Sequence, residues 1–273
     1  MSNPANGLAS RFEIRRLGPE HIEWAKAVHA HSNAFLSPIW TKANVGLLSW
    51  HLHEFFPGFD HVVRHQIESG MSFGIFDTEY KFKNPESAKT GGKLYWETPT
   101  TDADRERTTR ESLLEQMDFP LVSIALHFDL FYPLDMEKMK PTFSIPPTAP
   151  FIDSKIDELD TRDRALAVPS GPGQILQANS TATRDDYTRL GLMRNLADWV
   201  THEAASKGYK SIQLDSFSDA VFRVSTNPPL PYKAEVVCQV NLKEYEGLVE
   251  FYGEKFTFGC VDQVVARICV ALE

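Results

Sequence analysis

Cysteine is scarce: Cys238, Cys260 and Cys269 are the only three among 273 residues. A low, odd count excludes a disulfide framework and points to a reducing compartment. Positive charge is also short, with 28 Lys and Arg against 37 Asp and Glu and a net charge of −9. That balance argues against a general nucleic-acid binder, which needs a basic face to meet phosphates. No uncharged apolar run approaches the roughly 18 residues of a membrane span; residues 119–128 form a run about half that long. The first seven residues lack a basic region followed by an apolar stretch, so no secretory leader is expected. These absences together make a cytoplasmic protein without membrane or nucleic-acid partners the expectation.

Several catalytic signatures are missing too. His-Glu-x-x-His and Cys-x-x-Cys do not occur, so zinc has no ready-made ligand set. Gly-x-Ser-x-Gly is absent; Pro169-Ser170-Gly171-Pro172-Gly173 only imitates a nucleophile elbow, and its prolines block the tight strand-to-helix turn. The same glycines precede a strand rather than open a helix, which is the wrong order for a dinucleotide fingerprint. His61 and His65 stand four apart and share one helix face. That spacing suits a metal but equally two surface histidines. His21, His29, His31, His51 and His53 add to the early cluster without a ligand pattern, and His127 within its apolar run reads as a core residue. The cysteines sit on or beside predicted strands and read as small buried hydrophobes.

What is present is globular. Hydrophobic residues make up 42% and charged residues 24%, both ordinary values. At roughly 150 residues per domain, the length fits one enlarged domain or two small ones. We expect a frayed arm over residues 1–10 and a single domain over 11–273. Phe12-Glu13-Ile14-Arg15-Arg16-Leu17 alternates as a strand, and Gly18-Pro19-Glu20 then starts a helix marked by Ile22, Ala25 and Val28. Two more helices are predicted over 41–70, split at Pro57-Gly58, with Leu47, Leu48, Phe55 and Phe56 on one apolar face. Residues 72–82 and 93–97 are predicted to pair as a long-looped hairpin. Residues 99–110 read as a polar loop, and 119–128 as a strand or a buried helix. A proline-rich stretch over 133–172 carries one predicted helix at 152–166. The aromatic residues Trp50, Phe55, Phe56, Tyr95, Trp96, Phe128 and Phe131 suit a pocket but at these spacings more often form core. A strand is expected over 174–183, a long amphipathic helix over 187–207 closed by Gly208, and a strand over 209–214. A short helix over 218–224 and strands over 232–240 and 263–272 complete the order.

The segment richest in chemistry is Arg184-Asp185-Asp186-Tyr187-Thr188-Arg189-Leu190-Gly191-Leu192-Met193-Arg194. A strand feeds a turn with one glycine and several arginines, then a helix start. Unpaired N–H groups and a partial positive charge at such a start hold pyrophosphate. Gly191 permits close backbone approach, and Arg189 and Arg194 add charge-assisted bonds. The plain alternative is a loop with ordinary surface arginines.

In element order the chain resembles the GNAT superfamily of acyl-CoA-dependent N-acyltransferases. That family cradles pyrophosphate on Gln/Arg-x-x-Gly-x-Gly/Ala; the matching stretch here is Thr188, Arg189, Leu190, Gly191, Leu192 and Met193. Gly191 matches, while Thr188 and Met193 depart from the pattern. Arg15-Arg16-Leu17 and residues 61–70 and 72–96 further resemble a fungal group of GNAT-like proteins. The resemblance implies an α/β fold with a mixed, mostly antiparallel central sheet flanked by helices, here enlarged by an insertion over about 99–172. It implies acetyl-CoA as co-substrate, an amine acceptor, and backbone N–H groups near Ser180, Ala182 and Thr183 that polarise the thioester carbonyl. It places the pantetheine arm between the fourth and fifth strands, near Phe217. The family's tyrosine acid on the fourth helix has no counterpart at Val224 or Ser225, leaving Tyr232 as the nearest phenol. Candidate bases are Glu97, Asp215 and Glu79. An N-acyltransferase is the leading expectation, and a non-catalytic protein that kept the fold is the alternative. Free N–H groups beside a V-shaped gap favour the first, and a gap filled by Met193 and Phe217 the second. The acceptor and the oligomeric state are not legible.

Overall fold

The computed structural model describes residues 7–43, 52–143, 148–163, 167–245, 249–251, 254–256, 258 and 261–273. Leu47, Leu48, Trp50, His51, Cys260 and the first six residues lie outside that set, as does the side chain of Phe55.

Seven strands build one twisted sheet: β1 (Phe12–Arg16), β2 (Phe73–Asp77), β3 (Leu121–Asp129), β4 (Ile175–Thr183), β5 (Ser211–Ser216), β6 (Lys233–Asn241) and β7 (Val264–Ala271). Their spatial order is β1-β2-β3-β4-β5-β7-β6. Every neighbouring pair is antiparallel except β4 and β5, which run parallel. Helices cover both faces. α1 (Ile22–Phe35) and α2 (Phe59–Glu68) lie on one side, α3 (Leu192–Ser206) on the other, and the short α4 (Asp219–Ser225) follows β5.

Each element has a local cause. Pro19 opens the turn into α1, its fixed φ suiting a helix start. α1 then buries Ile22, Ala25, Ala27, Val28, Ala30 and Ala34, and the run of alanines lets it sit close to the sheet. α3 buries Leu192, Leu196, Val200 and Ala204 at a spacing of four, a single stripe laid on the strands. Because helices cover both faces of β3, its first eight residues are all buried. That explains the unbroken apolar run: a strand enclosed on two faces loses its alternation.

The sequence reading is corrected at several points. β2 ends at Asp77 and pairs with β1 and β3, so the expected hairpin of 72–82 with 93–97 does not form. Lys93–Leu94 instead pairs with Met117–Asp118. The turn over 84–92 carries the helix Pro85–Thr90, and the loop over 99–110 holds Asp102–Arg107, begun by a Thr101 cap. Residues 99–172 are not one insertion, since β3 lies within them. Added chain falls on either side of β3, and the later part carries Met136–Phe143 and Thr148–Leu159. The long helix begins at Leu192, not 187, because Asp185–Tyr187 forms a separate single turn. No described helix is long and apolar enough to cross a membrane.

Candidate active site

The parallel pair β4–β5 is short. Ile175, Leu176, Gln177 and Ala178 pair with Ser211, Ile212, Gln213 and Leu214, and there the ladder stops. β4 continues to Thr183 and β5 to Ser216 without pairing. At the parting point Asn179 is a bulge: Leu126 faces Ser180, and His127 faces Ala178. An extra residue bends and twists a strand locally, which turns β4 away from β5. The result is a fork whose open edge runs along Asn179–Thr183 and includes Ser180, Ala182 and Thr183.

The chain leaving β4 meets the fork at the start of α3. Arg189 and Gly191 adopt positive φ, 65° and 73°, so the backbone folds back on itself before Leu192. The N–H groups of Arg189, Leu190, Gly191, Leu192, Met193 and Arg194 make no hydrogen bond among the described residues. Six consecutive free donors at a helix start are an arrangement suited to an anion. Thr188 is held differently: its N–H and hydroxyl both donate to the Asp185 carbonyl, fixing the loop's entry. The Arg189 side chain is exposed and makes no ion pair among the described residues. A Cβ on Gly191 would meet only Asn195 Nδ2, at 3.8 Å.

Two arginines of this segment have structural work. Arg194 donates to the carbonyls of Val224, at 2.9 Å, and Asn227, at 2.5 Å, clasping α3 to the end of α4. Arg184 is 1% exposed. It holds Asp186 bidentately at 3.1 and 2.8 Å, donates to the Phe119 carbonyl, and packs against the rings of Tyr80, Phe119 and Tyr187. Its fork geometry is fully used, which leaves none for phosphate.

Between α3 and the sheet runs a narrow cavity of about 60 Å³, lined among others by Ala178, Thr181, Met193, Leu214, Val224 and Ser225. Met193 forms its wall. Phe217 turns to the opposite cluster, where it stacks on Trp40 at 5.9 Å. The two side chains that would have plugged the gap therefore lie on either side of it.

The expected acid and bases scatter. Tyr232 precedes Lys233, whose partner Ala271 is also paired with Ser211. It therefore stands at the closed end of the fork, edge-on to His202 at 5.4 Å, and is corrected as the candidate acid. Glu97 is exposed beyond the short ladder, away from β4 and β5. Glu79 lines a separate 420 Å³ pocket with Arg11, Asp77 and Tyr187. Asp215 does reach the fork, one residue past the last β4–β5 pair, but Arg267 grips both its oxygens at 2.9 and 2.8 Å.

What sequence reasoning missed is Asp153, on the helix Thr148–Leu159, which packs on β6 and β7. It faces Asp215, Asp157 and Arg267, and it makes no hydrogen bond or ion pair among the described residues. Burial, first, and the neighbouring carboxylates push it up to about 7. Its only signal in the sequence is its place beside Ile152 and Ile156, both wholly buried. The His61 and His65 rings lie 6.1 Å apart, tilted at 44°, and no group of three metal-binding side chains occurs among the described residues. His127 is buried and held neutral, its value lowered to about 4 by burial. Cys238 and Cys269 are free thiols raised by burial.

A seven-stranded sheet of this order, forked after a β4 bulge, is a GNAT-like fold. Solved structures agree. The C-terminal condensation domain of Ebony, in complex with beta-alanyl-dopamine, is similar with 15% identity and a TM-score of 0.59, over 94% of this chain and 97% of that one. Arylalkylamine N-acetyltransferase 2 from Aedes aegypti gives 10% identity and 0.57, over 97% and 100%. The polyamine N-acetyltransferase of Drosophila melanogaster gives 11% and 0.54, over 95% and 99%. At these identities the likeness shows the fold. The sequence matches no protein-family model and no curated protein.

Proposed function

We propose that the protein is an acyl-CoA-dependent N-acyltransferase with acetyl-CoA as its donor and an amine as its acceptor. The observation that carries this reading is the run of six unpaired N–H groups from Arg189 to Arg194, placed at the mouth of an open strand fork. A pyrophosphate carries the charge such a cradle complements, and exposed Arg189 adds a cation. The narrow fork then admits a thin chain. The outward edge of β4 past Asn179, where Ser180, Ala182 and Thr183 lie, offers backbone N–H groups to a thioester carbonyl. Donors already aimed at a developing oxyanion stabilise it without reorganisation.

The amine attacks the carbonyl carbon, and the tetrahedral adduct collapses by breaking the C–S bond. The departing thiolate takes its proton from solvent or from the attacking nitrogen, since no phenol stands at Val224 or Ser225. Ser225, which lines the cavity, is the nearest hydroxyl on α4.

The test is calorimetric titration of acetyl-CoA and of free CoA into the purified protein. Dissociation constants near micromolar, about −8 kcal/mol, are expected for both. Absence of binding at millimolar CoA would overturn the reading.

A further inference from the structure

On the side of the sheet opposite α3, the added helix Thr148–Leu159 packs on β6 and β7 and brings acid up to Asp215, on the β5 arm of the fork. Arg267 on β7 holds three carboxylates: Asp215 on β5 bidentately, Asp157 at 2.9 Å and Asp160 at 3.1 Å. Asp160 also takes Arg162 at 2.6 Å, and Arg162 reaches Gln213 on β5 at 2.6 Å. Both guanidiniums are thus committed. Asp153 is the fourth carboxylate, and nothing is left to pair with it. It is half-buried, so part of its side chain remains exposed to solvent.

The groups facing Asp153 are Asp157 on its own helix, Asp215 on β5 and Arg267 on β7. The Cys238 thiol on β6 bonds the Ile156 carbonyl nearby. Counting Asp160 and Arg162, the cluster holds four carboxylates against two guanidiniums. Asp157 is exposed, so within the closed part three carboxylates face two guanidiniums, an excess of one that calls for one cation. A metal does not fit: among the described residues no three side chains are grouped to hold one. A single-point ammonium does fit, because one carboxylate with one free face satisfies it. Beside the cluster, stacked Trp40 and Phe217 give an apolar wall for the ammonium's substituent.

We propose that the acceptor is a primary amine that arrives as its ammonium ion, and that Asp153 binds it and takes its proton. This rests on the acyltransferase reading for its chemistry. The ammonium N–H bond breaks and its proton passes to the Asp153 carboxylate. The freed lone pair forms the new C–N bond at the thioester carbonyl. The C–S bond breaks to thiolate, and a second proton, from the attacking nitrogen, ends on sulfur. Asp153 then returns its proton to solvent. Asp215 serves as a positioning residue, holding Arg267 so that Arg267 does not close on Asp153.

The experiment uses the full chain with n-butylamine as probe and n-butanol as its uncharged analogue, each titrated at pH 8 with and without saturating CoA. Wild type is expected to bind the amine and not the alcohol. Asp153→Asn, which keeps shape and removes charge, is expected to lose at least tenfold in amine affinity at unchanged CoA affinity. With acetyl-CoA and n-butylamine, thiol release by wild type is expected to rise with pH through about 7, as Asp153 ionises. In Asp153→Asn that limb should vanish. Equal amine binding by wild type and variant, or binding of CoA without any amine binding, would overturn the proposal and leave the acyltransferase reading intact. Amine binding that needs Asp153, without CoA binding, would sink the acyltransferase reading and leave the cation site standing.

Discussion

Arg194, in the first turn of α3, donates to the backbone carbonyl of Val224, in the last turn of α4, at 2.9 Å. The bond sets how far apart the two helices stand where they flank the fork. A guanidinium at a helix C-terminus also meets the negative end of its dipole. The arginine that sequence reasoning offered to pyrophosphate is thus a brace between the two helices that flank the fork.

Removing the brace should loosen the groove without unfolding the protein. Arg194→Ala is expected to weaken CoA binding about tenfold and to cost about 1–3 kcal/mol of stability, the usual range for bonds to a charged donor. Calorimetry and denaturant melts check both figures. Unchanged CoA affinity would show that helix spacing does not matter to the site.

The anion cradle is tested by charge at constant shape. Gly191 has φ 73°, a conformation that Asn and Asp tolerate better than other side chains. Gly191→Asn is expected to bind CoA within tenfold of wild type. Gly191→Asp should lose at least a hundredfold. Similar affinity in the two variants would mean that no phosphate sits there.

Arg184 predicts a stability effect with no direct bearing on ligand. Arg184→Leu strands the backbone carbonyl of Phe119 and the carboxylate of Asp186 that it now satisfies. A loss of about 1–3 kcal/mol is expected, chiefly from the buried Phe119 carbonyl left unpaired, since Asp186 is partly exposed. Urea titration measures it, and a loss under 1 kcal/mol would contradict the reading.

Asp153 predicts a pH-dependent penalty. Its value rises from an ordinary 3.8 to about 7 in the fold. The folded protein therefore keeps a proton that the unfolded chain has already released between those limits. Stability from this group is full below about pH 4, falls as pH rises towards 7, and stays low above it. Asp153→Asn should consequently be more stable than wild type at pH 8, by no more than about 4 kcal/mol, and no more stable at pH 4. Melting curves at the two pH values decide it; an equal difference at both would refute the linkage.

The fold was legible wherever pattern is local. β4, α3, β5, α4, β6 and β7 announce themselves through alternation, a stripe at fours, and Gly208 as a stop. The region after β2 was not, because its organiser is remote. Asp118, wholly buried, accepts from the Lys83 and Asn84 N–H groups at 3.0 and 2.9 Å and from the Tyr80 hydroxyl at 3.1 Å. It gathers 80–84 across more than thirty residues of sequence, which no short window reveals. The helix start at Leu192 was legible as a glycine among arginines, but which arginine was free was not. Arg184, Arg189 and Arg194 look alike in sequence and differ only in what the fold sets beside them. Asp153 was invisible for a related reason. An acid in an amphipathic helix ordinarily faces water, and only the packing of that helix on β6 and β7 turns this one inward.

The four residue pairs that join β4 to β5 have a mechanical meaning as well. They are the seam between two half-sheets, one of four strands and one of three. Only the antiparallel junction of β2 with β3 is as short, and this one is the parallel junction of the sheet and opens into the fork, so strain applied across the sheet bears on it. α3 bridges the seam from one side, packing on β2 and β3 in the first half and on β5 in the second. A molecule wedged into the fork therefore does more than occupy a site. It acts as a keystone, and the stiffness of the whole protein becomes a readout of whether the fork is filled.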